Sequence, residues 1–172
     1  ISNLLSAVVL GRFLKIPWAA LEEAARTFRG VKRRQEIIGE QNGVLILDDF
    51  AHHPTAVRET LQAVRDKYSD RRLIAVFEPR SNTSRRKIFQ DRYALSFDAA
   101  DRVFIPEPPS MDGIPVEERF SSRKLVSDLN SRGLEASYHE TTDNLLRALI
   151  QQTRSGDVIL IMSNGGFDNI HE

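Results

Sequence analysis

Two aspartates and two histidines stand close together in the chain, as Asp48, Asp49, His52 and His53, directly before Pro54. A carboxylate at the end of a buried strand can accept hydrogen bonds from the two vicinal hydroxyls of a ribose. Proline favours the first position of a helix, so both histidines would lie at a helix start, where the helix dipole disfavours imidazolium and neutral imidazoles can donate or accept. A single aspartate or histidine at such a place is more often only a cap. Four together favour a functional site.

A second polar stretch, residues 78 to 86, follows a short apolar run and contains three arginines. Asn82 or Thr83 could cap a following helix, and arginines beside a helix start would form a small basic pocket suited to carboxylates. A helix cap followed by a solvated charged turn explains the same spacing equally well. The stretch is therefore either an anion site or only a helix cap with a solvated turn.

Three further stretches carry weaker signals. Ser163 to Phe167 contains paired glycines, which allow close approach to a ligand but also form ordinary turns. Basic residues at Lys32 to Arg34 could reach phosphates held by a neighbouring domain, although such runs are usually just solvated. For Glu107 to Pro109 a purely structural role is favoured.

The elements that would position these residues alternate between strand and helix from Val44 onward. Short uninterrupted apolar runs, typical of buried parallel strands, occupy residues 44–47, 73–77, 103–105, 136–138 and 158–162. An Asn42-Gly43 turn preceded by residues 35–40 predicts an antiparallel hairpin at one edge. The fold class is therefore α/β, a Rossmann-like, mostly parallel sheet of about six strands with helices on both faces. Ligands bind such sheets beyond the carboxyl ends of the strands, where all the polar stretches after residue 44 fall.

The helices are predicted from apolar stripes. Their positions are Val57, Leu61, Val64 and Tyr68; Leu125, Val126 and Leu129; and Leu145, Leu146, Leu149 and Ile150. A fourth helix is expected over residues 85–97, and residues 106–120 are expected to form a flexible surface loop without an assigned role. Residues 1–30 read as a helical hairpin, with Pro17 in the first turn of its second helix and Gly30 at its end. A change of composition near Gly30 marks a domain boundary.

Composition excludes several classes of protein. The 172 residues include no cysteine, which rules out disulfides, thiolate metal sites and a cysteine nucleophile. Lys plus Arg equals Asp plus Glu at 24 each, so no overall field attracts nucleic acid or a membrane surface. Neither a P-loop nor a G-x-G-x-x-G pattern occurs, so this domain is not expected to hold a nucleoside triphosphate alone. The lack of cysteine suits a reducing compartment, so we expect a cytoplasmic protein. Because helical spacing begins at the start of the sequence, with Leu4 and Leu5, we expect a piece excised from a larger enzyme, although removal of a tag would give the same beginning.

Three segments taken in order, residues 30–34, 48–54 and 77–83, resemble the Mur ligases, ATP-dependent synthetases of peptidoglycan precursors. The similarity covers essentially the whole chain. It implies that residues 1–30 are the end of the central ATPase domain and that residues 31–172 are the carboxy-terminal Rossmann-like domain, with the P-loop and the metal ligands in the remaining domains. ATP and Mg²⁺ would be the cofactors, both needing the central domain. This chain alone is expected to be inactive, and its partners would be the enzyme's own amino-terminal and central domains.

Within the family, the resemblance is greatest to members that join UDP-N-acetylmuramate to the tripeptide L-Ala-γ-D-Glu-meso-diaminopimelate in peptidoglycan recycling. Members that add L-alanine usually have Tyr-Gly where this chain has Phe50-Ala51, and further arginines where it has Ser81 and Ser84. Losing arginines would suit a pocket that takes a tripeptide. The Asp-Asn-Pro-Arg signature of the diaminopimelate-adding members is absent. An L-alanine ligase domain is the alternative, and a stand-alone ligand-binding Rossmann-like domain is the second alternative.

The resemblance also implies roles for individual residues. Those expected at the ATP are Asn3, Arg34, Asp49 and His52. Those expected at the incoming peptide are His52, His53, Arg80, Ser81, Asn82, Thr83, Arg86, Asn164 and Gly165. No catalytic residue and no metal ligand is expected within this chain.

Overall fold

The computed structural model of the chain describes residues 2–170 and divides it into two compact units. The first ends at Lys32 and the second begins at Arg33, two residues beyond the boundary expected from composition. Assignment of the first unit to an ATPase domain stays a prediction. Within the described residues, no helix is long and apolar enough to cross a membrane.

The first unit is the predicted helical hairpin. Helix α1 spans Ser2–Phe13 and α2 spans Trp18–Thr27, with Pro17 directly before α2. Gly11 lies where the helices meet, and a Cβ there would be 2.5 Å from the Cδ2 of Leu21. A larger residue at this position would therefore force the Leu21 side chain to move.

The second unit is built on the expected six-stranded sheet. Its strands are β1 (Glu36–Gln41), β2 (Val44–Asp49), β3 (Leu73–Phe77), β4 (Arg102–Pro106), β5 (Glu135–His139) and β6 (Val158–Met162). They lie in the order β1-β2-β6-β3-β4-β5, and every neighbouring pair is parallel except β1 with β2. Asn42 and Gly43 join that pair with positive φ angles of 53° and 76°, as a tight hairpin turn requires.

Helices cover both faces, as predicted. They are α3 (Pro54–Lys67), α4 (Gln90–Ala94), α5 (Ser122–Ser131) and α6 (Thr142–Gln152). Helices α3, α4 and α5 pack on one face with Val158, Leu160 and Met162 of β6. Helix α6 packs on the other face with Ile159 and Ile161, because successive side chains of a strand point to opposite sides. Strand β6 is thus buried on both faces.

The helix expected over residues 85–97 is largely wrong. Arg86 is extended (φ −104°, ψ 151°) and bridges Arg119 in antiparallel fashion, while the Arg85 carbonyl accepts a hydrogen bond from the Phe120 N–H at 2.9 Å. This pairing is incompatible with helical backbone, so only a 3₁₀ turn at Lys87–Phe89 and the short α4 follow.

The same pairing corrects the expectation of a flexible loop at residues 106–120. The segment contains a 3₁₀ turn at Val116–Glu118, and its Ile114 and Phe120 side chains are buried. It is thereby held against the residues that follow β3. The carboxyl ends of the five parallel strands form the edge at which the polar segments meet.

Candidate functional site

Strand β2 runs two residues further than predicted and ends with Asp48 and Asp49, both buried. Asp49 Oδ1 accepts a hydrogen bond from the Ala51 N–H at 2.8 Å, and Oδ2 accepts one from the Gln35 N–H at 2.9 Å. Thr60 of α3 donates a longer one, at 3.4 Å. Burial raises the pKa of Asp49, against the opposing effect of these donors. Asp49 therefore ties the start of the second unit to the entry of α3, while its expected role at a ribose stays a prediction.

Asp48 is paired with Arg33, a residue to which the sequence assigned no specific role. Arg33 Nε donates to Asp48 Oδ2 at 2.8 Å, and its Nη2 donates to the Ser163 carbonyl at 2.7 Å. The first residue of the second unit is thus fixed to the ends of both β2 and β6. Arg34, the predicted nucleotide contact, is instead exposed, with its guanidinium 5.8 Å from the ring centre of Phe50.

His52 is half-buried at the entry to α3, and its ring is oriented by the backbone. Its Nδ1 lies 3.0 Å from the Phe50 carbonyl, which can only accept, so Nδ1 carries the proton. In the neutral ring Nε2 is then an acceptor. The His52 carbonyl accepts a hydrogen bond from the Tyr93 hydroxyl at 2.5 Å. His52 is therefore held in one orientation, as a residue that contacts substrate must be.

His53 is the N-cap of α3. Its Nδ1 accepts a hydrogen bond from the Thr55 N–H at 3.4 Å, and its ring contacts Phe89 at a centroid distance of 4.6 Å. Pro54 occupies the first helical position, as predicted. Capping alone thus explains His53, while the predicted peptide contact is untested.

The ends of β3 and β6 carry a connected group of polar side chains. Ser163 Oγ donates to Glu78 Oε2 at 2.5 Å, and Glu78 Oε1 accepts from Arg80 Nη1 at 3.2 Å. Glu78 and Ser163 are only 2% and 0% exposed. Burial raises the pKa of Glu78 even though Ser163 and Arg80 favour its ionised form.

Arg80 lies over Gly165, two predicted peptide contacts that the fold brings together. A Cβ on Gly165 would lie 2.1 Å from Arg80 Cδ, so the guanidinium can occupy this place only above a glycine. The Arg80 side chain is 38% exposed. Among the described residues, Glu78 is its one ion-pair partner, which leaves Nε and Nη2 available to a ligand. The neighbouring Asn164 is half-buried.

The turn after Arg80 does not use the predicted caps. Neither Asn82 nor Thr83 caps a helix, because no helix begins there; Ser84 N–H donates to Ser81 Oγ at 3.0 Å and closes the turn instead. Asn82 Oδ1 accepts from Arg85 Nη2 at 2.6 Å. Thr83 is exposed.

Arg86, another predicted peptide contact, forms an ion pair with Glu118, and both side chains are about half exposed. Arg85 Nη1 donates to the Ser110 carbonyl at 2.5 Å. Both arginines are therefore engaged with residues 106–120, and a ligand carboxylate would have to compete with Glu118 for Arg86.

A cavity of about 250 Å³ lies at the carboxyl ends of β3, β4 and β5. Four of its lining residues are acidic: Glu78, Glu107, Glu140 and Asp168. Such a lining disfavours anions, so a carboxylate is expected on the side of Arg80 and not in this cavity.

Two predictions, the contact of Asn3 with ATP and the need for Mg²⁺, concern groups that are not among these polar side chains. Asn3 is exposed on α1 in the first unit. No group of three or more His, Asp or Glu side chains in residues 2–170 could hold a metal ion. The described part of the chain therefore does not fit Mg²⁺ by itself.

The fold thus joins Arg33, Asp48, Glu78, Arg80 and Ser163 in one hydrogen-bonded network. All five lie in polar stretches that the sequence singles out, but only Arg80 had an individual role assigned. Residue types do not distinguish Arg33 from Arg34. A signal for Glu78 and Ser163 does exist, since each directly follows an apolar run and those runs are adjacent parallel strands.

The chain is similar to several known proteins. A family model for the Mur ligase, glutamate ligase domain matches residues 33–165. The UDP-N-acetylmuramate–L-alanyl-γ-D-glutamyl-meso-2,6-diaminoheptandioate ligase of Escherichia coli is 39% identical over 99% of this chain. The UDP-N-acetylmuramate–L-alanine ligase of a Sulfurihydrogenibium species is 34% identical over 99% of it. The chain spans only 35% and 37% of these two relatives.

A solved structure supports the fold as well as the family. The murein peptide ligase of Psychrobacter arcticus superposes with a TM-score of 0.71 and is 37% identical, covering 88% of this chain and 31% of that one. The predicted α/β architecture is thereby confirmed.

Proposed function

Because this chain belongs to the Mur ligase family, we propose that it is the carboxy-terminal, substrate-positioning domain of an ATP-dependent ligase that joins UDP-N-acetylmuramate to L-Ala-γ-D-Glu-meso-diaminopimelate. The Escherichia coli relative named for that tripeptide shares 39% identity with the chain, and the murein peptide ligase of Psychrobacter arcticus shares 37%. The relative named for alanine addition shares 34%, so identity alone supports the tripeptide only slightly.

The observation that carries the proposal is the exposed and oriented guanidinium of Arg80. Glu78 holds one of its nitrogens, Gly165 provides the surface beneath it, and the remaining nitrogens have no acceptor among the described residues. Guanidinium groups pair with carboxylates through parallel hydrogen bonds. The peptide carries several carboxylates, so Arg80 is suited to fix one of them.

The absence of arginine at Ser81 and Ser84 supports the larger substrate. Their hydroxyls hydrogen bond at 2.8 Å and form a compact turn, with Ser84 buried. Longer cationic side chains here would add charge beside Arg80. With serine at both positions, the surroundings of Arg80 carry less positive charge and shorter side chains.

ATP supplies the activation of the muramate carboxylate, and this chain fits only part of a nucleotide site. Arg34 is exposed and His52 presents Nε2, so both are suited to contact a nucleotide. Asp49 would have to accept ribose hydroxyls in addition to its present donors. Mg²⁺ ligands would come from other domains of the ligase.

The chain's own contribution is to position the peptide. Holding the amine in attack geometry can lower a barrier by about 7 to 11 kcal/mol in favourable systems. Exclusion of water would also protect an acyl phosphate from hydrolysis. Neither effect produces turnover without the remaining domains.

The deciding experiment compares amine substrates with the full-length protein. We expect ATP-dependent ligation with the tripeptide at a kcat/KM at least 100-fold above that with L-alanine. A preference for alanine would establish the L-alanine ligase alternative instead. The 172-residue chain alone should give no product with either amine, and product from that chain would contradict the assignment as a positioning domain.

A further inference from the structure

Glu78 and Ser163 occupy matching positions on adjacent strands. Phe77 of β3 is in register with Met162 of β6, and the Glu78 N–H donates to the Met162 carbonyl at 3.0 Å. The next residue on each strand therefore lies beside the other, which allows the 2.5 Å hydrogen bond from Ser163 Oγ to the carboxylate. The pair is fixed by sheet register.

Arg80 is held by its ion pair with Glu78 and by the backbone of Gly165 beneath it, and both depend on the Ser163 hydroxyl. It donates to Glu78, whose other oxygen binds Arg80, and it accepts a hydrogen bond from the Gly165 N–H at 3.0 Å. Gly165 in turn forms the surface beneath the Arg80 side chain. One hydroxyl thus fixes the ion-pair partner and the supporting backbone of the same guanidinium.

The backbone of Ser163 is held independently of this hydroxyl. Its N–H donates to the Asp49 carbonyl at 3.1 Å, and its carbonyl accepts from Arg33 at 2.7 Å. Removing the hydroxyl therefore leaves residue 163 anchored and affects mainly Glu78 and Gly165. A specific effect on Arg80 can then be separated from a general loss of structure.

We infer that Ser163 is a positioning residue which, through Glu78 and Gly165, aims Arg80 at a carboxylate of the incoming peptide. The inference rests on the proposed function, because it assumes that Arg80 binds that carboxylate. Ser163 itself need not contact the substrate. Its contribution is expected in the binding of the peptide and not in the binding of ATP or UDP-N-acetylmuramate.

The test is a double-mutant cycle in the full-length ligase with Ser163→Ala and Arg80→Ala. We expect Ser163→Ala to raise the KM for the tripeptide about 10-fold, because misplacing a binding group by about 1 Å has effects of this size or larger. The kcat and the KM values for ATP and UDP-N-acetylmuramate should change less than about twofold. In the Arg80→Ala background, Ser163→Ala should add less than about twofold, since its target is gone.

Equal effects of Ser163→Ala in both backgrounds, or an unchanged tripeptide KM, would overturn the inference. If Ser163→Ala does not fold, Glu78→Gln replaces it in the same cycle, because it weakens the hold on Arg80 from the other side of the pair. A ligase that accepts only alanine would contradict the proposed function, yet the cycle could still be run on the KM for alanine. The two failures are therefore distinguishable.

Discussion

At the scale of single residues, the candidate site is organised by groups that are not expected to touch the substrate. Glu78 and Ser163 are buried, and Arg33 is bound to Asp48 and to a backbone carbonyl. The exposed member of this network is Arg80, which the others support. A substitution beneath Arg80 should therefore affect binding more than folding.

Gly165→Ala tests this directly. The added Cβ would displace Arg80, whose Cδ lies 2.1 Å from that position, so the KM for the peptide should rise about 10-fold. The free energy of unfolding should change by less than about 1 kcal/mol, because a flexible side chain can move aside. Gly166→Ala is the matched control: no atom lies within 4 Å of its Cβ position, and its φ of −77° suits alanine. Equal KM values for the two variants would refute the role of Arg80.

The substitution Glu78→Gln tests how much stability the fold loses by burying an ionised carboxylate. Burial raises the pKa of Glu78 above its usual 4.5, so folding favours the protonated form. Its contribution to stability is then present below pH 4.5 and is lost as the pH rises through the raised pKa. Glutamine does not titrate. Urea denaturation from pH 4 to 8 should therefore show the variant gaining stability relative to the unmodified chain as the pH rises, and a relative loss over that range would contradict the prediction.

At the scale of elements, the site depends on where strands end and which strands are neighbours. The sequence predicted all six strands and the antiparallel hairpin, because apolar runs and the Asn42-Gly43 turn are local signals. It did not predict that residues 85–86 pair with 119–120, since that pairing is long-range. The helix expected at 85–97 failed for this reason.

The site was predicted in the same uneven way. The stretches that contain Arg80 and Gly165 could be identified because each follows a buried strand, and the fold places one residue above the other. Arg33 could not be distinguished from Arg34, because only the folded backbone decides which of two adjacent arginines faces Asp48. Resemblance to a family supplied the roles of individual residues, and those roles stay predictions.

A substitution at Asp157 tests the ion pair that joins the start of β6 to the start of β3. It is 1% exposed and forms a two-pronged ion pair with Arg72, at 2.6 and 3.0 Å. Asp157→Asn should lower the free energy of unfolding by roughly 2–4 kcal/mol, because it leaves a partly buried guanidinium without its carboxylate. The surface pair of Arg102 with Glu135 is the control, and Glu135→Gln should cost less than about 1 kcal/mol. Calorimetric or urea unfolding measures both, and similar losses would contradict the prediction.

At the scale of the whole molecule, the balanced net charge conceals a local separation of positive and negative side chains. The 24 basic and 24 acidic residues cancel, yet one edge of the sheet places Arg80 on one side of Glu78 and an acidic cavity on the other.

The second unit also contains both hydrophobic cores entirely within itself, from Val44 onward. It should therefore be stable by itself.

Two truncations test that independence. A chain beginning at Val31 should retain the unfolding free energy of the second unit, because both cores and Arg33 remain. A chain beginning at Glu36 loses the Arg33 bonds to Asp48 and Ser163 and the Gln35 bond to Asp49. It should be less stable by roughly 2–4 kcal/mol. Equal urea midpoints for the two would show that these bonds do not stabilise the sheet.

The position of β6 has a consequence for how the protein is made. Strand β6, the sixth in order along the described residues, lies between β2 and β3, so neither has that central partner until residue 162 has been synthesised. Until then two strand edges are exposed to other chains, a recognised route to aggregation. Ser163 follows that strand, so the anchoring of Arg80 also waits for β6. A chain that stops before Ser163 therefore lacks the hydroxyl that joins Glu78 to Gly165 beneath Arg80.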